Sequence, residues 1–143
     1  MIHIRRSAIV PHSPQQMFDL VNDVESYPKR FDWCAGAQEL QRGPGSSTAR
    51  LDLRVAGMTQ SFTTQNELVP GERISMSLLE GPFRTLHGEW TFKALGEHGC
   101  KISFVLDFEY ANRMLAPLVR VGFEKLADRL VGEFSAEAER VYA

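Results

Sequence analysis

Asp107 and Glu109 are the side chains whose spacing most directly suggests catalysis, because paired carboxylates can serve as general acid and base. They alternate with apolar residues in the segment 102–110, which places both on the polar side of an amphipathic strand. The simpler interpretation is that both carboxylates lie on the solvent-exposed side of this strand and have no catalytic role. Cys34 is a candidate nucleophile, but no histidine is predicted to lie close to it. These residues therefore predict no assembled catalytic group.

Motifs of the common catalytic and nucleotide-binding classes are absent from the chain. There is no glycine-rich phosphate loop ending in Gly-Lys-Ser/Thr, and no GxGxxG, HExxH or GxSxG. The four histidines are scattered, and their spacing relative to the two cysteines does not indicate a metal site. We therefore expect a protein that is not an enzyme, that holds no metal and that requires no cofactor.

Composition indicates one folded domain over residues 1–143. The chain is 43% hydrophobic and 24% charged, close to the average for globular proteins. The net charge of −2 argues against non-specific nucleic-acid binding, so we expect no DNA partner. No signal peptide and no membrane-spanning run is recognised. Two isolated cysteines are typical of reduced thiols, and the expected location is the cytoplasm.

The first forty residues combine a strand with short helices. Residues 2–10 predict a strand, and Ser13-Pro14-Gln15-Gln16 predicts a helix that begins with a capping box. A short helical turn is expected around Val24 to Tyr27, with Pro28 disturbing it. Residues 29–34 form an aromatic loop.

Alternation of period two then predicts a series of half-buried antiparallel strands up to Tyr110, separated by Gly and Pro turns. From Asn112 the period changes to 3.6, which indicates a long helix with a kink or break near Pro117. Polar residues mark its outer face: Glu124, Lys125, Asp128, Arg129, Glu133 and Glu137. Its apolar stripe is Leu115, Leu118, Val119, Gly122, Phe123, Leu126, Leu130, Phe134, Ala138 and Val141.

These elements predict an α+β fold in which a curved antiparallel sheet of about seven strands wraps around the C-terminal helix. One helix cannot fill such a sheet, so we expect an apolar cavity lined by inward-facing side chains, the usual composition of a small-molecule site. Aromatic residues at alternating positions are, however, core residues more often than ligand contacts. The candidate ligand-binding residues are Phe31, Trp33, Phe62, Thr64, Asn66, Phe83, Trp90, Phe104, Phe108, Leu118, Phe123 and Leu126.

Three stretches resemble a known family. They are the Ser13–Val21 helix followed by Asp-Val-Glu-Ser-Tyr-Pro at 23–28 and Trp33-Cys34, the Gly81-Pro82-Phe83 turn, and the C-terminal helix from Leu130. Together they resemble the START-like family that includes coenzyme Q-binding proteins and the bacterial ribosome association toxins (RatA), within the Bet v 1-like superfamily. Asp32 stands where that family commonly has proline, which puts the shape of the loop in question.

The resemblance implies a helix-grip fold and three alternative functions. The first is non-enzymatic binding of ubiquinone or a related isoprenoid lipid in support of respiration, with peripheral contact with a membrane. For this function we expect the quinone tail to lie along Phe104, Phe108, Leu118, Phe123 and Leu126, and the head group to meet Thr64, Asn66 or Trp33. The second is binding of the 50S ribosomal subunit, which blocks 70S association; Arg50 and Arg54 are outward candidates for that contact. The third is a polyketide cyclase-like enzyme, which needs two inward-facing titratable groups.

Overall fold

Seven antiparallel strands form one curved sheet in the computed structural model, which describes residues 1–111 and 116–142. The strands are β1 (Ile2–Val10), β2 (Cys34–Gly43), β3 (Ser46–Val55), β4 (Met58–Val69), β5 (Arg73–Glu80), β6 (Phe83–Ala94) and β7 (Cys100–Tyr110). Their order across the sheet is β1-β7-β6-β5-β4-β3-β2, so each strand from β2 to β6 lies beside the next one along the chain. The predicted strand number and antiparallel pairing are confirmed.

The helices occupy the positions that the capping and periodicity signals indicate. They are α1 (Pro14–Asn22), α2 (Tyr27–Arg30) and α3 (Pro117–Tyr142), and a 3-10 turn at Val24–Ser26 precedes α2. The predicted capping box is confirmed: the Gln16 backbone N–H donates to Ser13 Oγ at 3.0 Å, and the Ser13 N–H donates to Gln16 Oε1 at 2.9 Å.

Both prolines for which a disturbed helix was expected lie where helices begin, and the start of α3 at Pro117 agrees with the predicted break before the main helix. Pro28 is in the first turn of α2, and Pro117 is the first residue of α3. At these positions the missing N–H has no intrahelical partner to lose, and the fixed φ suits the helix. The helical segment expected from Asn112, including Leu115, lies outside the described residues.

The predicted faces of the long helix were wrong at both ends. Leu118 was assigned to the apolar stripe, but it is 75% exposed. At 3.6 residues per turn it points about 140° away from Phe123, which is buried. Val141, in the last turn, is exposed as well, whereas Glu137 was assigned to the solvent face and is only 7% exposed. Arg30 and Arg140 form ion pairs with this carboxylate, which offsets the cost of burying its charge.

Close backbone approach fixes the start of α3 against the hairpin between β3 and β4. A Cβ atom at Gly122 would lie 2.6 Å from Val55 Cγ1, so only glycine fits there without a shift. The hairpin itself turns at Ala56 and Gly57, both with positive φ, as two-residue hairpin loops require. No helix within residues 1–111 and 116–142 is long and apolar enough to cross a membrane.

Candidate functional site

A cavity of about 90 Å³ lies between the concave face of the sheet and α3, as the strand and helix patterns predicted. Its wall is almost entirely apolar. The predicted candidates that line it are Trp33, Phe62, Thr64, Trp90, Phe104, Phe123 and Leu126. A cavity of this size is well below the roughly 300–1,000 Å³ typical of small-molecule sites. In this conformation it holds at most a very small apolar group.

The remaining candidates lie elsewhere. Phe31 is buried behind Trp33 and stacks on its ring at 4.8 Å. Phe83 lines a separate void of about 10 Å³, and Phe108 is fully buried against Phe83 and Phe123. Because Leu118 points outward and Phe108 is enclosed by other rings, the predicted continuous path for a quinone tail does not exist in this conformation.

Several further residues complete the cavity wall and were not among the candidates. They are Tyr27, Leu51, Leu53, Met76, Leu86, Leu106, Ala127, Leu130 and Phe134. Most stand at inward positions of the same period-two alternation, so a complete reading of that signal would have found them. Tyr27 has two roles. Its hydroxyl donates to the Val21 carbonyl, and its ring forms part of the wall.

The two polar candidates satisfy each other rather than facing the cavity together. Thr64 Oγ1 donates to Asn66 Oδ1 at 2.8 Å, and Asn66 Nδ2 donates to Ser47 Oγ at 3.4 Å. Thr64 lines the cavity, whereas Asn66 does not. Since a buried polar group needs a partner, this short chain of bonds explains how an otherwise apolar face accommodates three polar side chains.

Trp33 joins the cavity wall to the loop between α2 and β2. Its indole N–H donates to Glu133 Oε1 on α3 at 2.9 Å. Arg54 holds the loop from the other side: its backbone N–H donates to the Trp33 carbonyl at 2.8 Å, and its Nη1 donates to the Asp32 carbonyl at 2.9 Å. The Asp32 carbonyl thus takes part in holding the loop.

Replacing Glu133 by alanine should loosen Trp33, because the indole N–H loses its carboxylate acceptor. We expect the free energy of unfolding to fall by about 1 kcal/mol, since Glu133 is partly exposed and water replaces part of the bond. Acrylamide quenching of tryptophan fluorescence should increase. Glu133→Gln keeps an oxygen acceptor, so its free energy of unfolding should fall by less than half of the decrease in Glu133→Ala. Equal losses in both variants would contradict the assigned bond.

The residues of the cavity wall that the structure describes include no acid-base pair. Among the described lining residues Tyr27 is the one titratable side chain, and burial raises its pKa far above the ordinary value. Burial also raises the pKa of the Cys34 thiol, which opposes formation of the reactive thiolate. Asp107 and Glu109 face away from the cavity, toward His3 and Arg84 respectively. Residues 1–111 and 116–142 contain no group of three metal-ligating side chains.

Comparison with known proteins identifies the family. Residues 10–135 match the family model described as polyketide cyclase / dehydrase and lipid transport. The chain is 41% identical over 143 residues to the ribosome association toxin RatA of Escherichia coli K12, which covers all of this chain and 90% of that protein. It is 25% identical over 146 residues to the mitochondrial coenzyme Q-binding protein COQ10 homolog B of Xenopus laevis, covering 99% of this chain and 59% of that protein.

The fold also matches solved structures. The crystal structure of the Zhui aromatase/cyclase from Streptomyces sp. R1128 superposes with a TM-score of 0.86, covering 99% of this chain and 96% of that one. At 22% identity this likeness shows the fold alone. The family match and the full-length identity to RatA agree with the resemblance that the sequence motifs indicated. The chain therefore belongs to the polyketide cyclase / dehydrase and lipid transport family, as a relative of the RatA proteins.

Proposed function

We propose that this protein binds the large ribosomal subunit in the cytoplasm and limits its association with the small subunit. The observation that supports this proposal is the 41% identity to a ribosome association toxin along the whole chain. The cavity adds to it indirectly. At about 90 Å³ it is too small to make ligand carriage the better proposal, and the described residues of its wall include no acid-base pair for catalysis.

Sucrose-gradient sedimentation of ribosomes tests the proposal. Expression of the chain should lower the 70S peak and raise the 30S and 50S peaks, and the protein should sediment with the 50S fraction. An inert protein of similar size, expressed to the same level, serves as the control for growth effects. Unchanged 70S particles together with protein only at the top of the gradient would contradict ribosome binding.

A second function, binding of a hydrophobic small molecule such as a quinone head group, is favoured by one observation. The cavity wall is apolar and rich in aromatic side chains, a lining that suits apolar ligands. An engineered cavity of about 150 Å³ binds benzene in another protein, so a quinone ring requires this cavity to expand. Movement of Trp33 away from Glu133 would supply the space.

Replacing Ala127 by leucine fills the cavity from the α3 side and should abolish this binding. Ala127 lines the cavity and is buried, so the added atoms enter the space that the ligand needs. The change is measured by native mass spectrometry and solvent extraction of the purified protein, with an expected loss of more than tenfold in bound ligand. Ala136→Leu is the matched control, because Ala136 is exposed on the same helix.

The two proposed functions give different results with this variant. Ala127→Leu should still sediment with 50S subunits, because ribosome binding takes place at the surface. If no ligand is extracted from the unmodified protein, or if ligand survives in Ala127→Leu, the cavity is not a binding site. A folded variant, shown by a cooperative thermal transition, is required for either conclusion.

A further inference from the structure

Three cations lie together on the convex face of the sheet, near the turn that joins β6 to β7. Lys93 and Lys101 are direct cross-strand partners. Arg73 pairs with Thr91 and is therefore diagonal to Lys93. Directly opposed side chains have Cβ atoms about 5 Å apart, and diagonal neighbours are about 7–8 Å apart. All three cations are exposed, so they can reach one common partner.

These cations, which we call the convex basic patch, are not neutralised by the rest of the protein. Within the part of the chain that the structure describes, Arg73, Lys93 and Lys101 make no ion pair. The same face carries one carboxylate nearby, Glu89 on β6, two residues before Thr91. Its cross-strand partners are Ser75 and Val105. On β5, β6 and β7 the rows of residues that hold these side chains therefore carry three cations against one carboxylate, while the exposed Glu72 and Glu97 lie in the turns at their edge.

Hydroxyl groups accompany the cations. Ser7 pairs with Ser103, Ser103 with Thr91, and Thr91 with Arg73, which makes one row across four strands. Serine and threonine hydroxyls, together with lysine and arginine, are the side chains that commonly contact phosphate oxygens in nucleic acids. The surface therefore combines charge and hydrogen-bond donors in the pattern that suits a phosphate backbone.

The paired lysines contribute nothing favourable to folding. Like charges directly opposite each other on neighbouring strands destabilise a sheet. An anionic partner placed between Lys93 and Lys101 would reverse the sign of this interaction. Departures from local stability rules are expected at functional sites.

We propose that the convex basic patch is the surface through which the protein binds the phosphate backbone of RNA in the large ribosomal subunit. The proposal rests on the ribosome binding proposed above and assigns that binding to a face of the sheet. Arg50 and Arg54, the outward arginines considered from sequence, are engaged within the protein: Arg50 with Asp52 at 3.1 Å and Arg54 with the Asp32 carbonyl.

Pelleting with purified 50S subunits at several salt concentrations tests the proposal. The variant carries Arg73→Gln, Lys93→Gln and Lys101→Gln. Each phosphate contact contributes a slope of about 0.9 in the dependence of log affinity on log salt, so the slope should fall by roughly 2–3. Affinity near 0.1 M salt should drop at least ~10-fold. The thermal midpoint should stay constant or rise.

A matched control makes the same change in net charge elsewhere. Lys29→Gln, Lys125→Gln and Arg129→Gln remove three exposed cations from α2 and from the outer side of α3. The control should bind 50S subunits like the unmodified protein. Equal weakening of both triple variants would overturn the assignment to this face while leaving ribosome binding intact. Failure of the unmodified protein to bind would overturn the proposed function as well.

A single substitution separates recognition from stability. Lys101→Glu places an opposite charge beside Lys93, so it should raise the thermal midpoint and at the same time weaken 50S binding at least ~10-fold. If Lys101 had only a structural role, the thermal midpoint and the affinity for 50S subunits would rise or fall together. Vesicles containing an anionic phospholipid provide the last comparison. Loss of vesicle binding with unchanged 50S binding would overturn the proposal in favour of a membrane surface.

Discussion

Glu137→Ala is expected to lower the free energy of unfolding by about 2–3 kcal/mol at neutral pH, because it removes the nearer counter-charge of the largely buried Arg30 and leaves the more distant Asp23, 3.6 Å away. Arg30 Nη1 donates to Glu137 Oε2 at 2.8 Å, and Arg140 Nε donates to Glu137 Oε1 at 2.9 Å. Arg30 is only 19% exposed, and its Nε already lacks a partner. Urea denaturation of both proteins measures the difference.

The same carboxylate gives the fold a defined acid sensitivity. Hydrogen bonds from Arg140 and then Arg30 lower the pKa of Glu137 from an ordinary value near 4.5 to about 2. A lowered pKa contributes stability that is complete above the ordinary pKa and is lost as pH falls through the folded value. The unmodified protein should therefore lose stability between pH 4.5 and 2, on the order of 2–3 kcal/mol from this group.

Glu137→Ala should lack that part of the pH dependence, so the two stability curves should converge as pH approaches 2. The control is Glu139→Ala on the same helix turn. Glu139 is mostly exposed, so its loss should cost less than about 1 kcal/mol. A difference below 1 kcal/mol for Glu137→Ala, or parallel curves down to pH 2, would show that the arginines do not depend on this carboxylate.

Phe134→Ala is expected to cost about 3–5 kcal/mol, because it removes a ring from the centre of the core and leaves a void. Phe134 is 1% exposed and contacts the rings of Phe31 at 4.9 Å, Trp90 at 5.2 Å and Tyr27 at 5.4 Å. It also lines the cavity, so the new space joins the existing 90 Å³. Chemical denaturation measures the loss.

The enlarged cavity provides an independent readout. Benzene should raise the thermal midpoint of Phe134→Ala but not that of the unmodified protein, because a dry, apolar cavity of sufficient volume takes such a ligand. Phe134→Leu, which restores part of the volume, should lose less stability and respond less to benzene. No benzene effect, together with a loss below 1.5 kcal/mol, would mean that the surrounding aromatic rings collapse into the space.

Local sequence signals predicted helices and strands well where a short motif is compatible with one backbone geometry. The Ser13–Gln16 capping box and the alternation through Phe104 and Phe108 both specify their structures from neighbouring residues alone. The helix faces were less predictable. Glu137 is buried because Arg30, more than a hundred residues earlier in the chain, reaches it. No local pattern carries that information.

The candidate site divides in the same way. Inward positions of strands follow from period two, so Phe62, Trp90 and Phe104 could be placed in the cavity wall from sequence. Asn66 has the same inward position, yet it bonds Thr64 and Ser47 instead of facing the space. Which inward side chains meet a void and which meet each other depends on packing between strands that are distant in sequence.

The sequence by itself determined the order of strands and helices, the apolar face of each strand and, through its motifs, the family. Those properties depend on backbone dihedral preferences and side-chain periodicity, which act over a few residues. Only the tertiary structure decided the volume of the cavity, the burial of Glu137 and the grouping of Arg73, Lys93 and Lys101 on one face. These depend on register and close packing between distant segments, where a shift of one residue moves every side chain to the opposite face.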